Sequence, residues 1–118
     1  MNGLFLILSL SVCGMFHSAM AQYRSEVWVS DEGNGMYRNP VLHADYSDPD
    51  VCVVGEDYFL TASSFNCTPG LPILHSKDLV NWKIVNYALK KVEPVEYYNE
   101  ARHGKGVWAP SIRFHEGM

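Results

Sequence analysis

Basic residues are scarce and scattered in this chain of 118 residues. Nine Lys and Arg face thirteen Asp and Glu, for a net charge of −4. Lys90-Lys91 is the one adjacent pair. Neutralising a phosphate backbone takes clustered Lys and Arg, so the sequence argues against a nucleic-acid partner. A mildly acidic surface suits a neutral ligand, a sugar among others. There is no glycine-rich phosphate loop and no Gly-x-Ser-x-Gly element. His17, His43, His75, His103 and His115 never fall at a metal-ligand spacing with Cys, Asp or another His. No cofactor is therefore expected, and these histidines read as surface or hydrogen-bonded positions. After residue 21 no stretch shows sustained helical periodicity with caps, which points to an all-β chain. Hydrophobic residues make up 47% and charged ones 19%, close to a globular average, so the bulk of the chain is expected to fold.

Charge is missing altogether from the first 21 residues. An apolar run from Leu4 to Val12 is followed by Ala19-Met20-Ala21, a small-x-small site before Gln22. That is the pattern of a secretory signal cleaved after Ala21, too short for a membrane span of roughly 20 apolar residues. A lipoprotein signal acylated at Cys13 is the rival, though Val12 is a poor fit to the small residue usual before such a cysteine. Residues 1–21 are thus expected to be removed and the protein to be secreted or periplasmic.

Export would leave two cysteines, Cys52 and Cys67. An even number outside the cytosol invites a disulfide. With a turn at Gly55-Glu56-Asp57, Cys52 should lie opposite residue 60, which leaves Cys67 roughly 23 Å farther along the strand direction. Bridged Cα atoms must approach within about 7 Å, so two free thiols are expected. Asn66-Cys67-Thr68 also matches a glycosylation sequon.

Residues 22–38 are polar, carry Gly33 and Gly35, and read as a mobile leader. Short strands follow, separated by turn residues: 51–54, 58–63, 71–75 and 82–89, with breakers at Gly55-Glu56-Asp57, Pro69-Gly70 and residues 77–81. Tyr58, Leu60 and Ala62 should share one face. Four such strands make one meander, and one meander cannot cover both its faces. Residues 90–106 look irregular. Glu93, Glu96 and Glu100 there could pass for paired catalytic carboxylates, but beside Pro94 they read better as a solvated loop. Residues 107–114 read as a fifth strand, begun without a partner. That is the expected footprint of a truncated repeat architecture such as a β-propeller of four-stranded blades.

The chain from about Tyr37 to its end resembles glycoside hydrolase family 43. The resemblance rests on four elements in order. They are Asn39-Pro40 through Asp48-Pro49-Asp50-Val51, then Gly55-Glu56-Asp57-Tyr58-Phe59-Leu60 with Ser63-Ser64-Phe65, then His75-Ser76-Lys77-Asp78-Leu79-Val80-Asn81-Trp82, and Gly106-Val107-Trp108-Ala109-Pro110-Ser111-Ile112. Each alone is weak; four at the right spacing are specific. The resemblance implies a five-bladed β-propeller of which residues 39–118 are the first blade and the start of the second. It also implies a β-xylosidase or α-L-arabinofuranosidase acting by inversion on an oligosaccharide or polysaccharide.

On the matched positions, Asp48 would be the general base that activates the attacking water. Pro49 should hold Asp48 in an extended conformation; without the other elements, Asp48 would read as a turn-initiating residue. Phe65 and Trp108 match aromatic positions lining the sugar pocket, with core packing as the competing role. Asp50 stands where the family often has Ser and, pointing inward, would repel the charge on Asp48. Trp82 should pack inside the blade and Asp78 should hold its turn. The general acid, a Glu, and an orienting Asp would lie beyond Met118, as would the ligands of any structural calcium. The isolated 118 residues are therefore expected to be inactive and poorly folded without the later blades. A non-catalytic carbohydrate-binding propeller and a retaining fructan-cleaving enzyme are the rival functions.

Overall fold

The fold, taken from a computed structural model, is described for residues 27–116. The signal-like stretch 1–21, its Cys13, and residues 22–26 lie outside the described residues. Four strands form one antiparallel sheet in sequence order: β1 Asp50–Val54, β2 Asp57–Thr61, β3 Gly70–Ser76 and β4 Lys83–Leu89. One short helix among the described residues, α1 Val95–Tyr98, follows.

The first hairpin is tighter than the sequence suggests. Val54 pairs with Asp57, so Gly55-Glu56 alone makes the loop and Asp57 opens β2. Gly55 has φ +62°, the left-handed backbone that a two-residue hairpin loop requires. The register shifts accordingly, and Cys52 faces Phe59 rather than residue 60. Cys52 and Cys67 are both free.

Strand β3 explains where the core sits. Gly70, Pro72, Leu74 and Ser76 alternate inward with period two and are buried. Leu74 from β3 meets Leu60 and Ala62, and Leu42, Tyr46 and Trp82 pack around them. Tyr58 lies on the same face but is only half-buried. Val51, Val53, Ile84 and Val85 are exposed apolar residues of the outer strands. The sheet thus carries apolar side chains beyond its own small core.

The β3–β4 turn is held by one carboxylate. Asp78 Oδ1 accepts the Val80 and Asn81 N–H groups at 2.9 and 2.7 Å, and Oδ2 accepts Asn81 Nδ2 at 2.9 Å. Ser76 Oγ donates to Oδ1 at 3.0 Å. Burial opposes ionisation of Asp78, but these bonds outweigh it and hold the carboxyl at about 2. Trp82 closes the turn by donating Nε1–H to Leu79 O at 2.9 Å. Asp78→Ala is expected to lower stability by about 1 kcal/mol, a modest figure because the turn is exposed. The contribution is complete above about pH 4, the ordinary Asp range, and is lost as pH falls through the folded-state value. Acid titration of unfolding in the full-length protein should therefore be shallower for Asp78→Asn than for wild type between pH 4 and 2.

Three readings need correction. The leader is pinned from residue 27 onward: Trp28 donates to Pro40 O at 2.8 Å, Ser30 to Val80 O at 3.4 Å, and Asn81 Nδ2 to Asp31 Oδ2 at 2.8 Å. Trp28, Ser30 and Asp31 thus tie the leader to residues 40, 80 and 81, while residues 32–38 stay exposed. Residues 95–98 form one helical turn within the stretch read as irregular, and the loop around it is fastened to the blade, while Glu93, Glu96 and Glu100 are exposed as the solvated-loop reading has them. Thr68 N–H donates to Tyr98 O at 2.8 Å, and Arg102 N–H to Asn66 O at 3.0 Å. Of the three glutamates there, Glu100 pairs with Arg102 at 2.7 Å and Glu93 with Lys91 at 3.8 Å. Finally, residues 107–114 are not a strand. Val107 alone bridges to Ser64; Ala109 turns to φ +47° and Pro110 has no N–H for a ladder.

Candidate active site

Residues 63–65, one residue past the end of β2, act as a hub. The Ser63 N–H donates to Ser47 O at 3.0 Å, which draws the 45–49 loop against the end of the strand. Ser64 and Val107 exchange two backbone hydrogen bonds of 2.9 Å, and Gly106 N–H donates to Phe65 O at 2.7 Å. The segment carrying Trp108 is thereby laid along the segment carrying Phe65. A Cβ on Gly106 would stand 2.1 Å from Ser64 O, so only glycine permits this approach.

Asp48 and the 108–109 segment meet through one hydroxyl. Ser63 Oγ donates to Asp48 Oδ2 at 2.7 Å and accepts the Ala109 N–H at 2.8 Å. Asp48 is exposed, with the left-handed φ of +50°. The extended conformation expected from Pro49 is not adopted. Asp is among the few side chains that tolerate this region, and the bonds at Ser47 and Ser63 hold it there.

Phe65 and Trp108 meet edge to face, with ring centroids 4.4 Å apart and planes at 67°. Trp108 is 57% exposed, so it is not a core residue of this blade. Phe65 is half-buried and lines an open hollow of about 340 Å³ with Asp45, Tyr46, Ser63, Ile84 and Tyr87. A half-exposed aromatic wall beside a carboxylate can hold the C–H face of a sugar and aim a water at it.

The profile of glycosyl hydrolases family 43 matches residues 37–118. The chain belongs to glycosyl hydrolase family 43. A β-xylosidase of Formosa agariphila is 39% identical over 101 residues, covering 83% of this chain and 17% of its own length. A non-reducing-end α-L-arabinofuranosidase of Bacteroides ovatus is 42% identical over 83 residues, covering 69% of this chain and 15% of its own. Among solved structures, the family protein BlXynB of Bacillus licheniformis superposes with a TM-score of 0.60 at 38% identity, over 69% of this chain and 16% of that one. The chain therefore spans under a fifth of the length of these relatives. The solved family 43 neighbours are five-bladed β-propellers, and the four-stranded meander matches an amino-terminal blade.

Within this family 43 blade, Asp50 does not turn toward Asp48. Its Oδ2 accepts the Ile112 N–H at 2.9 Å and Ser111 Oγ at 3.0 Å, and it pairs with Arg113. The Ile112 amide and the Arg113 guanidinium hold its carboxyl at about 2. The expected repulsion is replaced by a clamp between β1 and residues 111–113. Asp45 is likewise engaged, accepting Ser47 Oγ at 2.7 Å. His75 pairs with Asp57, and His43 stacks on Trp28 at 5.1 Å. Among the described residues no three His, Cys, Asp or Glu side chains gather as a cation site. A larger hollow of about 910 Å³ lies between residues 27–33 and the β3–β4 turn, and neither it nor the 340 Å³ hollow is lined by Asp48 or Trp108. Ser63 and Gly106 were both visible in the matched elements, yet nothing in their local sequence marks what they do. Their signal lies in contacts across 46 and about 40 positions.

Proposed function

We propose that the full-length protein is an inverting glycoside hydrolase acting at the ends of xylan- and arabinoxylan-derived oligosaccharides, most simply a β-xylosidase. The observation that carries this reading is the Asp48 carboxylate, held by Ser63 at the same hub that packs Trp108 against Phe65. Asp48 takes a proton from water as that water attacks the anomeric carbon. Inversion needs a second carboxyl group about 6.5–9.5 Å away to protonate the leaving oxygen. A Glu from chain beyond these residues would supply it, with an Asp to orient it, and any structural calcium would take its ligands there too. The Phe65–Trp108 wall receives the terminal sugar.

An anomer-resolved NMR time course on an aryl β-xyloside tests the chemistry. The first-formed sugar should be the α-anomer; a β-anomer would mean retention and would remove Asp48 as a base acting on water. Trp108→Ala should raise KM about tenfold with a smaller change in kcat, the signature of a lost platform. The similarity to an α-L-arabinofuranosidase supports a second reading within the same family. Parallel assays on aryl xylosides and aryl arabinofuranosides decide between the two. Residues 1–21 would direct export, and the mature amino terminus should be Gln22 by mass spectrometry of the exported protein.

A further inference from the structure

We infer that Ser63 is a positioning residue for the reaction, setting the Asp48 carboxylate and the Trp108-Ala109 backbone relative to each other through one hydroxyl. The inference rests on the reading of Asp48 as the base. A serine hydroxyl has one proton and two lone pairs. Here the proton goes to Asp48 Oδ2, and a lone pair takes the Ala109 N–H. Ser63 is only 6% exposed, so water is poorly placed to replace either bond.

The two ends of this link are alike. Asp48 has φ +50° and precedes Pro49; Ala109 has φ +47° and precedes Pro110. Each is a non-glycine residue in a disfavoured backbone region, followed by a residue with no N–H to fasten it. The hydroxyl supplies a fastening at both places. The neighbouring Ser64 does a different job, pairing its backbone with Val107 and accepting the Leu71 N–H at 2.9 Å. The two serines therefore divide the work: Ser64 closes the backbone, and Ser63 orients the carboxylate. A base moved by about an ångström from its line of attack loses on the order of a hundredfold in rate.

The test uses the full-length enzyme with the aryl xyloside or arabinofuranoside that it turns over. Ser63→Ala should lower kcat about 10- to 100-fold while KM moves about threefold or less. Ser63→Thr, which keeps the hydroxyl, should recover most of the loss. Should Ser63→Ala fail to fold, Ser63→Cys runs the same comparison with a longer, weaker hydrogen bond and should give an intermediate kcat. Wild-type kcat in Ser63→Ala or Ser63→Cys overturns the inference, as does a loss that Ser63→Thr does not recover. Asp48→Asn, measured alongside, separates the two readings. If it is inactive while the Ser63 variants are normal, only the role of Ser63 falls; if it is fully active, the base assignment falls.

Discussion

Asp48→Asn in the full-length enzyme is expected to lower kcat about 10²–10⁴-fold while leaving KM within about threefold. The amide keeps the shape of the carboxylate and can still accept the Ser63 hydroxyl through its oxygen, so the hydrogen bond seen at 2.7 Å need not be lost. It removes the ability to take a proton from water. The loss should therefore fall on the chemical step, with sugar binding at the proposed Phe65–Trp108 wall and the melting temperature near wild type. Steady-state kinetics on an aryl xyloside, together with a thermal melt, checks this. Wild-type turnover would reduce Asp48 to a turn residue and place the base on another carboxylate. A full-length wild type that binds xylo-oligosaccharides but hydrolyses none, with binding unchanged in Asp48→Asn, would instead be a carbohydrate-binding propeller without catalysis. Asp50→Asn makes an informative companion, since that carboxylate faces Ser111, Ile112 and Arg113 instead of Asp48.

The second large effect concerns the backbone. Gly106→Ala is expected to destabilise the full-length protein by about 3 kcal/mol or more. The added Cβ would stand 2.1 Å from Ser64 O, 2.7 Å from the Phe65 carbonyl carbon and 2.8 Å from the Asn66 nitrogen. All three are backbone atoms, so no side-chain rotation can relieve the contact. Relief requires residues 106–108 to separate from residues 63–66. That would break the Gly106–Phe65 bond and the paired Ser64–Val107 bonds, and would part the Phe65 and Trp108 rings. The denaturant midpoint should fall, and any folded remainder should bind sugar weakly. Gly70→Ala provides the contrast. Its new Cβ would meet the Val107 Cγ2 atom at 2.7 Å, a side-chain contact that a rotamer change can relieve, so the penalty should be smaller.

Much of the sheet was legible in the residues. β-branched and aromatic runs separated by Gly, Pro, Asn and Asp predict the four strands, and each occurs within about two residues of its expected place. Asp78 and Trp82 occupy the roles their turn suggests, because those bonds span only two or three positions. The readings that failed concern conformations set from a distance. Pro49 biases Asp48 toward extended backbone, yet Ser47 and Ser63 together hold it left-handed. The apolar character of residues 107–114 suits a strand, but a strand is defined by its ladder, and here Val107 alone is paired.

The sequence by itself determined that this chain is an all-β blade with the ordered elements of family 43, since alternation, turn chemistry and motif spacing are written along neighbouring residues. Tertiary structure decided what those residues do to one another. One serine joins residues 48 and 109, one aspartate clamps residues 111–113 to β1, and one glycine lets two segments touch. These contacts span up to 63 positions. Hydrogen bonds and steric exclusion act over a few ångströms in space, and that proximity exists only after the loops have closed on the sheet.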